Sequence, residues 1–337
     1  MRQAPTEPES WKRMVLGSLP PPAWLSSDAP HSDVVLSSRA RLMRNLRGFR
    51  FPGFLPPPEL LEVMSLVLRA AVEATPHLEP VKSLTQAERD HYVGCRLISP
   101  EFAWREPGRA LLIDEARALV AMINEEDHLR IQALSAGWSI GSAEALARSC
   151  EGALAQRLEF AWTPEFGFLA ASPYNAGQGR RLSCMLHLIG LAHTKRLPSV
   201  VRALGARGLS ARGLFGETSR AVGAFVQVSL TGGDAAEFTG AVDYLIQEER
   251  AARGGTRAFE RKAREAADFA EGSRSLSLAD SLRVLAWARW ASVAELPRFP
   301  ASPRAVDAFL ARMDVRPDDR EQSVPRQRAD ALRRFLG

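Results

Sequence analysis

Residues 124–130 read Asn-Glu-Glu-Asp-His-Leu-Arg, the densest concentration of reactive side chains in this chain. Adjacent carboxylates can hold a cation or take up a proton, and an arginine beside them can hold an anion. The preceding run Ala118-Leu119-Val120-Ala121-Met122-Ile123 has the length and apolar content of a strand, so the charged set falls at a strand end. Read alone, three consecutive acids fit a solvated turn better than a site. Other segments change that balance. Arg212-Gly213-Leu214-Phe215-Gly216-Glu217 is a glycine-punctuated loop bracketed by a cation and an acid, or a connector pinned by Leu214 and Phe215. In Ser37-Ser38-Arg39-Ala40-Arg41 two arginines stand two apart on an extended segment, which directs both to one side; ordinary edge strands carry such pairs too. The loop Ser172-Pro173-Tyr174-Asn175-Ala176-Gly177-Gln178-Gly179 is expected to open a helix through Met185, Leu186, Leu188 and Leu191, its N–H groups facing an anion. Arg180 and Arg181 in the first turn of that helix would oppose its dipole, a local conflict that an external anion resolves.

Other chemistries lack their residues. There is no G-x-x-x-x-G-K-[ST] phosphate loop and no H-R-D or D-F-G pair. The six histidines show no zinc spacing; His128 is expected to support the neighbouring carboxylates or the core, and His187 to pack on an apolar helix face. The tryptophans are dispersed and form no stacking platform for bases.

Periodicity supplies the elements that carry these segments. Val34-Val35-Leu36 is a short strand, and Leu60, Leu61, Val63, Met64, Val67, Leu68 and Ala71 recur at helical spacing over 59–74. A second helix spans 141–158, and residues 160–171 read as a β-hairpin. A strand over 225–230 and a helix over 234–252 follow. Gly254-Gly255 marks a boundary, beyond which helices are expected over 257–271, 277–292, 303–313 and 322–336. The expected organisation is a flexible lead-in over 1–23, a catalytic domain over 24–253 and a helical domain over 256–337.

Composition excludes several classes. The 337 residues hold 44 Lys+Arg against 39 Asp+Glu, a balance of 44 − 39 = +5. The excess is arginine scattered singly, which suits local anion sites better than a nucleic-acid footprint. Three cysteines make neither a disulfide framework nor a metal set. No apolar stretch has the length of a signal peptide or membrane span, so a cytoplasmic, membrane-free protein is expected.

Together these segments resemble, in order, the ATP:guanidino phosphotransferases, the family of creatine and arginine kinases. The likeness runs from about Trp24 to Arg253, and within the family it leans to the bacterial protein-arginine kinases. Metabolite-using members carry a longer helical domain before the Ser-Ser-Arg motif than the 36 residues found here. The resemblance implies an α+β fold: a twisted, mainly antiparallel sheet flanked by helices, followed by a small all-helical C-terminal domain. It implies ATP contacts at Ser37, Ser38, Arg39, Ala40, Arg41, Arg96, Arg130, Arg181, Leu182, Ser183, Cys184, Met185, Arg212, Gly213, Leu214, Phe215, Gly216 and Glu217. Arg39, Arg41, Arg130, Arg181 and Arg212 would bind the phosphates, Glu126 would be the catalytic carboxylate and Glu217 a second clamp on the acceptor guanidinium. Mg²⁺ would ride on the nucleotide with no protein metal ligands. Protein substrates, a homodimer, an activator protein and a Clp-type protease are the implied partners.

Ser172, where the metabolite kinases have a cysteine, goes with that branch. The chain also departs from it: Arg96 stands where it has His, Tyr174, Gln178 and Arg180 replace Thr, Thr and Leu, and Val324-Pro325 replace an Arg-Asp pair before Arg328-Ala329. Three functions are therefore weighed: a protein-arginine kinase, a kinase of a small guanidino metabolite, and a nucleotide-binding regulator without activity.

Overall fold

The computed structural model describes residues 22–26, 29–81, 84–102, 107–214, 222–254, 256–313 and 323–337. In chain order the strands are β1 (Val35–Arg44), β2 (Leu78–Val81), β3 (Ala110–Asp114), β4 (Leu119–Ile123), β5 (Leu129–Ala136), β6 (Trp162–Thr163), β7 (Gly167–Phe168), β8 (Arg180–His187), β9 (Ser210–Gly213) and β10 (Phe225–Thr231). The helices are α1 (Ala23–Ser26), α2 (Pro57–Ala74), α3 (Gln86–Gly94), α4 (Ile140–Ala155), α5 (Ile189–His193), α6 (Leu197–Ala206), α7 (Ala235–Ala252), α8 (Thr256–Gly272), α9 (Leu278–Val293), α10 (Pro303–Arg312) and α11 (Ser323–Leu336). Eight strands form one sheet in the order β2-β3-β4-β5-β1-β8-β10-β9, every neighbouring pair antiparallel. The fold is α+β.

The two faces of the sheet differ. On one, Ala40, Leu42, Leu112, Ala121, Ile131, Leu182, Cys184, Leu186 and Val228 share a core with α2, α4, α6 and α7. Helix α2 shows why its sequence takes this place. Pro57 and Pro58 occupy the first turn, where a missing N–H costs nothing, and Glu59 meets the positive end of the helix dipole. Val63, Val67, Ala70 and Ala71 follow at helical spacing and are buried. Sealing each valine contributes about 1.5–3 kcal/mol. Val67→Asp would set an unpaired carboxylate against the sheet and break the packing.

The opposite face is apolar only at its ends. Leu111, Ile113, Val120, Met122 and Leu134 pack with Trp24, Leu25, Tyr92 and Leu97 of α1 and the α3 region. Leu36, Met185 and Phe225 pack with α8, α9, α10 and α11. Between these clusters the middle of the sheet presents polar side chains to a cleft. A register shift between Val35 and Ser37 leaves Leu36 as an extra residue, so Val35 joins the first core and Leu36 the last.

The expected helix after residue 179 is a strand. Arg181, Ser183 and Met185 alternate with buried Leu182, Cys184 and Leu186, and β8 pairs on both sides, with β1 and β10. A short apolar run reads as either element until its neighbours are known. Arg180 and Arg181 therefore oppose no helix dipole. His187 ends β8, fully buried with its ring stacked on Phe225 at 5.0 Å. The expected hairpin is present as the two-residue strands β6 and β7. Strands β2, β3, β5 and β9 were not anticipated. The C-terminal helices lie within a residue or two of their expected bounds; α9 packs against residues 222–224, and α10 against α1 and α3. Most of the expected lead-in lies outside the described residues. Among those described, no helix is long and apolar enough to cross a membrane.

Candidate active site

Five arginines converge on one cleft because their strands are neighbours in register. Arg39 and Arg41 share a face of β1; Arg41 lies opposite Gln132 of β5 on one side and Arg181 of β8 on the other. Arg130 faces Met43 across the β1–β5 ladder, and Arg212 faces Gln227 across β9–β10. Like charges directly opposite in a sheet repel. The cleft they line has a volume of about 1130 Å³. That exceeds the roughly 300–1,000 Å³ of a single-ligand pocket and leaves room for two substrates.

The partners of these cations are mostly neutral. Arg39 Nη2 donates to Gln227 Oε1 at 2.6 Å, Arg41 Nε to Gln132 Oε1 at 3.1 Å and Arg181 Nη2 to Ser210 Oγ at 3.4 Å. The buried Nε atoms of Arg39, Arg130 and Arg181 have no acceptor among the described residues. Burial, then the charges of Arg130 and Arg181, brings Arg41 down to about 9. Arg39 is pulled well down by burial and then by Arg41, Arg96, Arg181 and Arg130. Burial and then Arg212 and Arg130 lower Arg181. A guanidinium keeps its proton under such conditions, so the crowding amounts to a standing demand for anions.

The acidic turn divides its work. Asn124 adopts a left-handed φ of 56° and its amide donates to the carbonyls of Leu60 and Gly108, both at 2.8 Å. Asp127 Oδ1 accepts from Asn45 Nδ2 and from the Ala171 N–H, both at 2.7 Å. His128 Nδ1 accepts the Leu46 N–H at 3.0 Å, which makes it a neutral ring; burial holds it down to about 4. These three buried residues are framework. Glu125, Glu126 and Arg130 face the cleft. The Glu125 side chain is only 5% exposed, and its Oε1 accepts from Ser99 Oγ at 2.6 Å and Arg130 Nη1 at 2.5 Å. Glu126 is 44% exposed and touches Arg130 Nη2 at 3.2 Å. Burial raises its carboxyl above the ordinary value, against the pull of Arg130.

Residues expected in the site separate by face. Arg39, Arg41, Arg96, Glu126, Arg130, Arg181, Arg212, Gly213 and Leu214 line the cleft, and Ser37, Ser183 and Met185 line a small recess with Arg39 and Arg96. Ala40, Leu182 and Cys184 are corrected: their side chains alternate to the other face and belong to the apolar core. Ser38 is also turned away, its hydroxyl donating to the Gly137 carbonyl and accepting the Ser139 N–H. Phe215, Gly216 and Glu217 lie outside the described residues. Arg180 is not a cleft residue; it pairs with Glu144 at 2.9 Å and the Gly233 carbonyl at 2.8 Å. Gly179 serves packing, because at its φ of +54° a Cβ would collide with the Arg44 guanidinium and the Met43 carbonyl. Ser172, Tyr174 and Asn175 of the same loop do line the cleft. Glu125, Gln132 and Gln227, which hold Arg130, Arg41 and Arg39, and Ser99, which holds Glu125, are not among the expected site residues. Alternation along the expected 225–230 strand was the one available signal for Gln227.

Such a site suits a polyanion beside a cation. Among the described residues no group of three His, Cys, Asp or Glu side chains is gathered for a metal. Residues 62–233 match the family model of the ATP:guanido phosphotransferase C-terminal catalytic domain. A protein-arginine kinase of Halalkalibacterium halodurans is 35% identical over 256 residues, 72% of this chain and 71% of its own. One from Moorella thermoacetica is 38% identical over 213 residues, 61% of each chain. Among solved structures, the substrate-free duplicated taurocyamine kinase of Schistosoma mansoni superposes with a TM-score of 0.58 at 20% identity, covering 72% of this chain and 39% of that one. At that identity the structural likeness concerns the fold alone.

Proposed function

The chain belongs to the ATP:guanido phosphotransferase family, and from that premise we propose that it transfers the γ-phosphate of ATP to the guanidinium of arginine side chains in proteins. The observation that carries this reading is the convergence of Arg39, Arg41, Arg130, Arg181 and Arg212 on one cleft beside Glu126. The names borne by the relatives at 35% and 38% identity support protein arginine as acceptor.

Phosphoryl transfer asks for alignment and charge neutralisation more than for covalent help. The arginine fork binds phosphate oxygens two at a time and does not lose its proton. An acceptor nitrogen attacks the γ-phosphorus, the bond to the β-phosphate oxygen breaks and ADP leaves. A guanidinium, with a pKa above about 12, is a poor nucleophile until a proton departs. Glu126 aligns the cation and accepts that proton, a task its raised pKa favours. Glu125 holds Arg130 in position. In this reading Glu217 is the second clamp. Mg²⁺, carried by the β- and γ-phosphates and water, would complete neutralisation of the charge. The reading extends, by resemblance, to a cytoplasmic homodimer acting in protein quality control with an activator protein and a Clp-type protease.

The test is mass spectrometry at neutral pH after incubation with ATP, Mg²⁺ and a loosely folded protein, with free arginine and creatine in parallel. Phosphoarginine on the protein and none on the free guanidines is expected, and Glu126→Ala should abolish it. Transfer only to the metabolites, or nucleotide binding without any product, would refute the reading.

A further inference from the structure

The cleft has a direction, and its far end is built only in part by the family region. Along β1, Leu36 and Arg41 are separated by roughly 16 Å at about 3.3 Å per residue. Arg41, opposite Arg181, marks the phosphate end. At the Leu36 end the lining includes the apolar residues Val93, Gly94, Leu310 and Ala311, with Arg96 and Asp307 beside them. The last two apolar residues belong to α10, beyond the matched residues 62–233.

Helix α10 is held there firmly. Arg304 Nη1 donates to the Leu36 carbonyl at 2.8 Å. Asp307 takes both arms of Arg289 at 2.7 and 3.2 Å, and Arg289 in turn binds the carbonyls of Ser32 at 2.8 Å and Asp33 at 2.9 Å. Across the cleft a Cβ on Gly94 would sit 2.6 Å from the Ala311 carbonyl, so α3 and α10 meet backbone to backbone. Arg96 has a left-handed φ of 61°, and its guanidinium lies 4.7 Å from the Trp24 ring centre while lining the cleft.

We propose that α10 is part of the nucleotide site, with Leu310 and Ala311 walling the seat of the base while the arginines hold the phosphates. The inference rests on the reading of the cleft as a nucleoside triphosphate site. A planar heterocycle needs apolar walls, and a nucleotide with its phosphates on Arg41 and Arg181 lays its base toward Leu36 and α10. The C-terminal helical region thereby becomes a determinant of nucleotide affinity.

Calorimetric titration of the full-length protein with ADP and with inorganic tripolyphosphate, which has no base, tests this. Ala311→Leu narrows the seat and Leu310→Ala widens it. The first should weaken ADP at least tenfold and the second threefold to tenfold, while tripolyphosphate binding stays within twofold of wild type, so that the arginine end is intact although a changed core residue lowers the melting temperature. ADP affinity within twofold of wild type in both variants removes α10 from the site. Equal losses for ADP and tripolyphosphate remove the base assignment. A wild-type protein that binds neither ligand overturns the underlying reading as well, a result distinct from these.

Discussion

Buried arginines occur in two settings in this molecule, and their partners differ. Arg44 pairs with Glu151, Arg253 with Glu249 and Arg289 with Asp307, each a carboxylate matched to a cation in the interior. In the cleft, Arg39, Arg41 and Arg181 meet the neutral oxygens of Gln227, Gln132 and Ser210, and among the described residues none of the three has a carboxylate partner. Arg130 pairs with Glu125 and Glu126. The matched pairs cancel their own field and hold elements together. The unmatched set keeps its field for something that arrives from solution.

That contrast can be broken at either side. The largest effect is expected for Arg41→Ala, which should cut phosphoryl transfer by about 10³-fold or more, as loss of a charge-stabilising arginine does elsewhere. Its melting temperature should hold or rise, because a repulsion is relieved; activity within tenfold of wild type would undo the contrast. Asp307→Ala strands the Arg289 cation in the interior and should cost about 3–5 kcal/mol of unfolding free energy, measured by urea titration. A cleft arginine whose removal destabilised as much would erase the distinction. Inorganic tripolyphosphate at a hundred times its dissociation constant should stabilise the wild-type protein by about 2.7 kcal/mol, and Arg39→Ala should lose most of that gain.

The smallest effect concerns pH. His128 is neutral in the folded state and held down to about 4 by burial, whereas an unfolded histidine titrates near 6.5. The unfolded chain therefore binds the extra proton first as pH falls. The stabilising contribution is complete above about 6.5 and declines toward 4, losing on the order of 1–2 kcal/mol by pH 5. Urea midpoints at pH 7.5 and 5 in wild type and His128→Gln measure it; an equal fall in both would assign the acid sensitivity elsewhere, His91 included. Glu126 is shifted upward where His128 is shifted downward, yet activity too is lost as pH falls. Its raised carboxyl places the acid limb of turnover above the ordinary glutamate value of about 4.3.

Much of this arrangement was legible in the residues, and the misses have physical causes. The apolar run to Ile123 and the charged turn after it could be placed because a strand and its end look alike in any context. The C-terminal helices were bounded by prolines and glycines. Strand β8 was not, since Leu182-Ser183-Cys184-Met185-Leu186 satisfies either period and only pairing on both edges decides. The arginines were identifiable by type, but that Gln132 and Gln227 hold two of them depends on register across four strands. In the acidic turn, Asn124, Asp127 and His128 carry the same polar label as their neighbours. Their role as framework appears only with the buried partners Asn45 and Leu46 in place.

The inserted residue at Leu36 has one more consequence. Pleating gives each position of β1 a fixed side, so removing a single residue just after the irregularity would exchange the sides of everything beyond it. Arg39 and Arg41 would be driven into the oily layer and Ala40 and Leu42 would look outward. A change in length at 36 itself removes only the bulge, whereas over 38–44 natural variation should be counted in substitutions, not gaps.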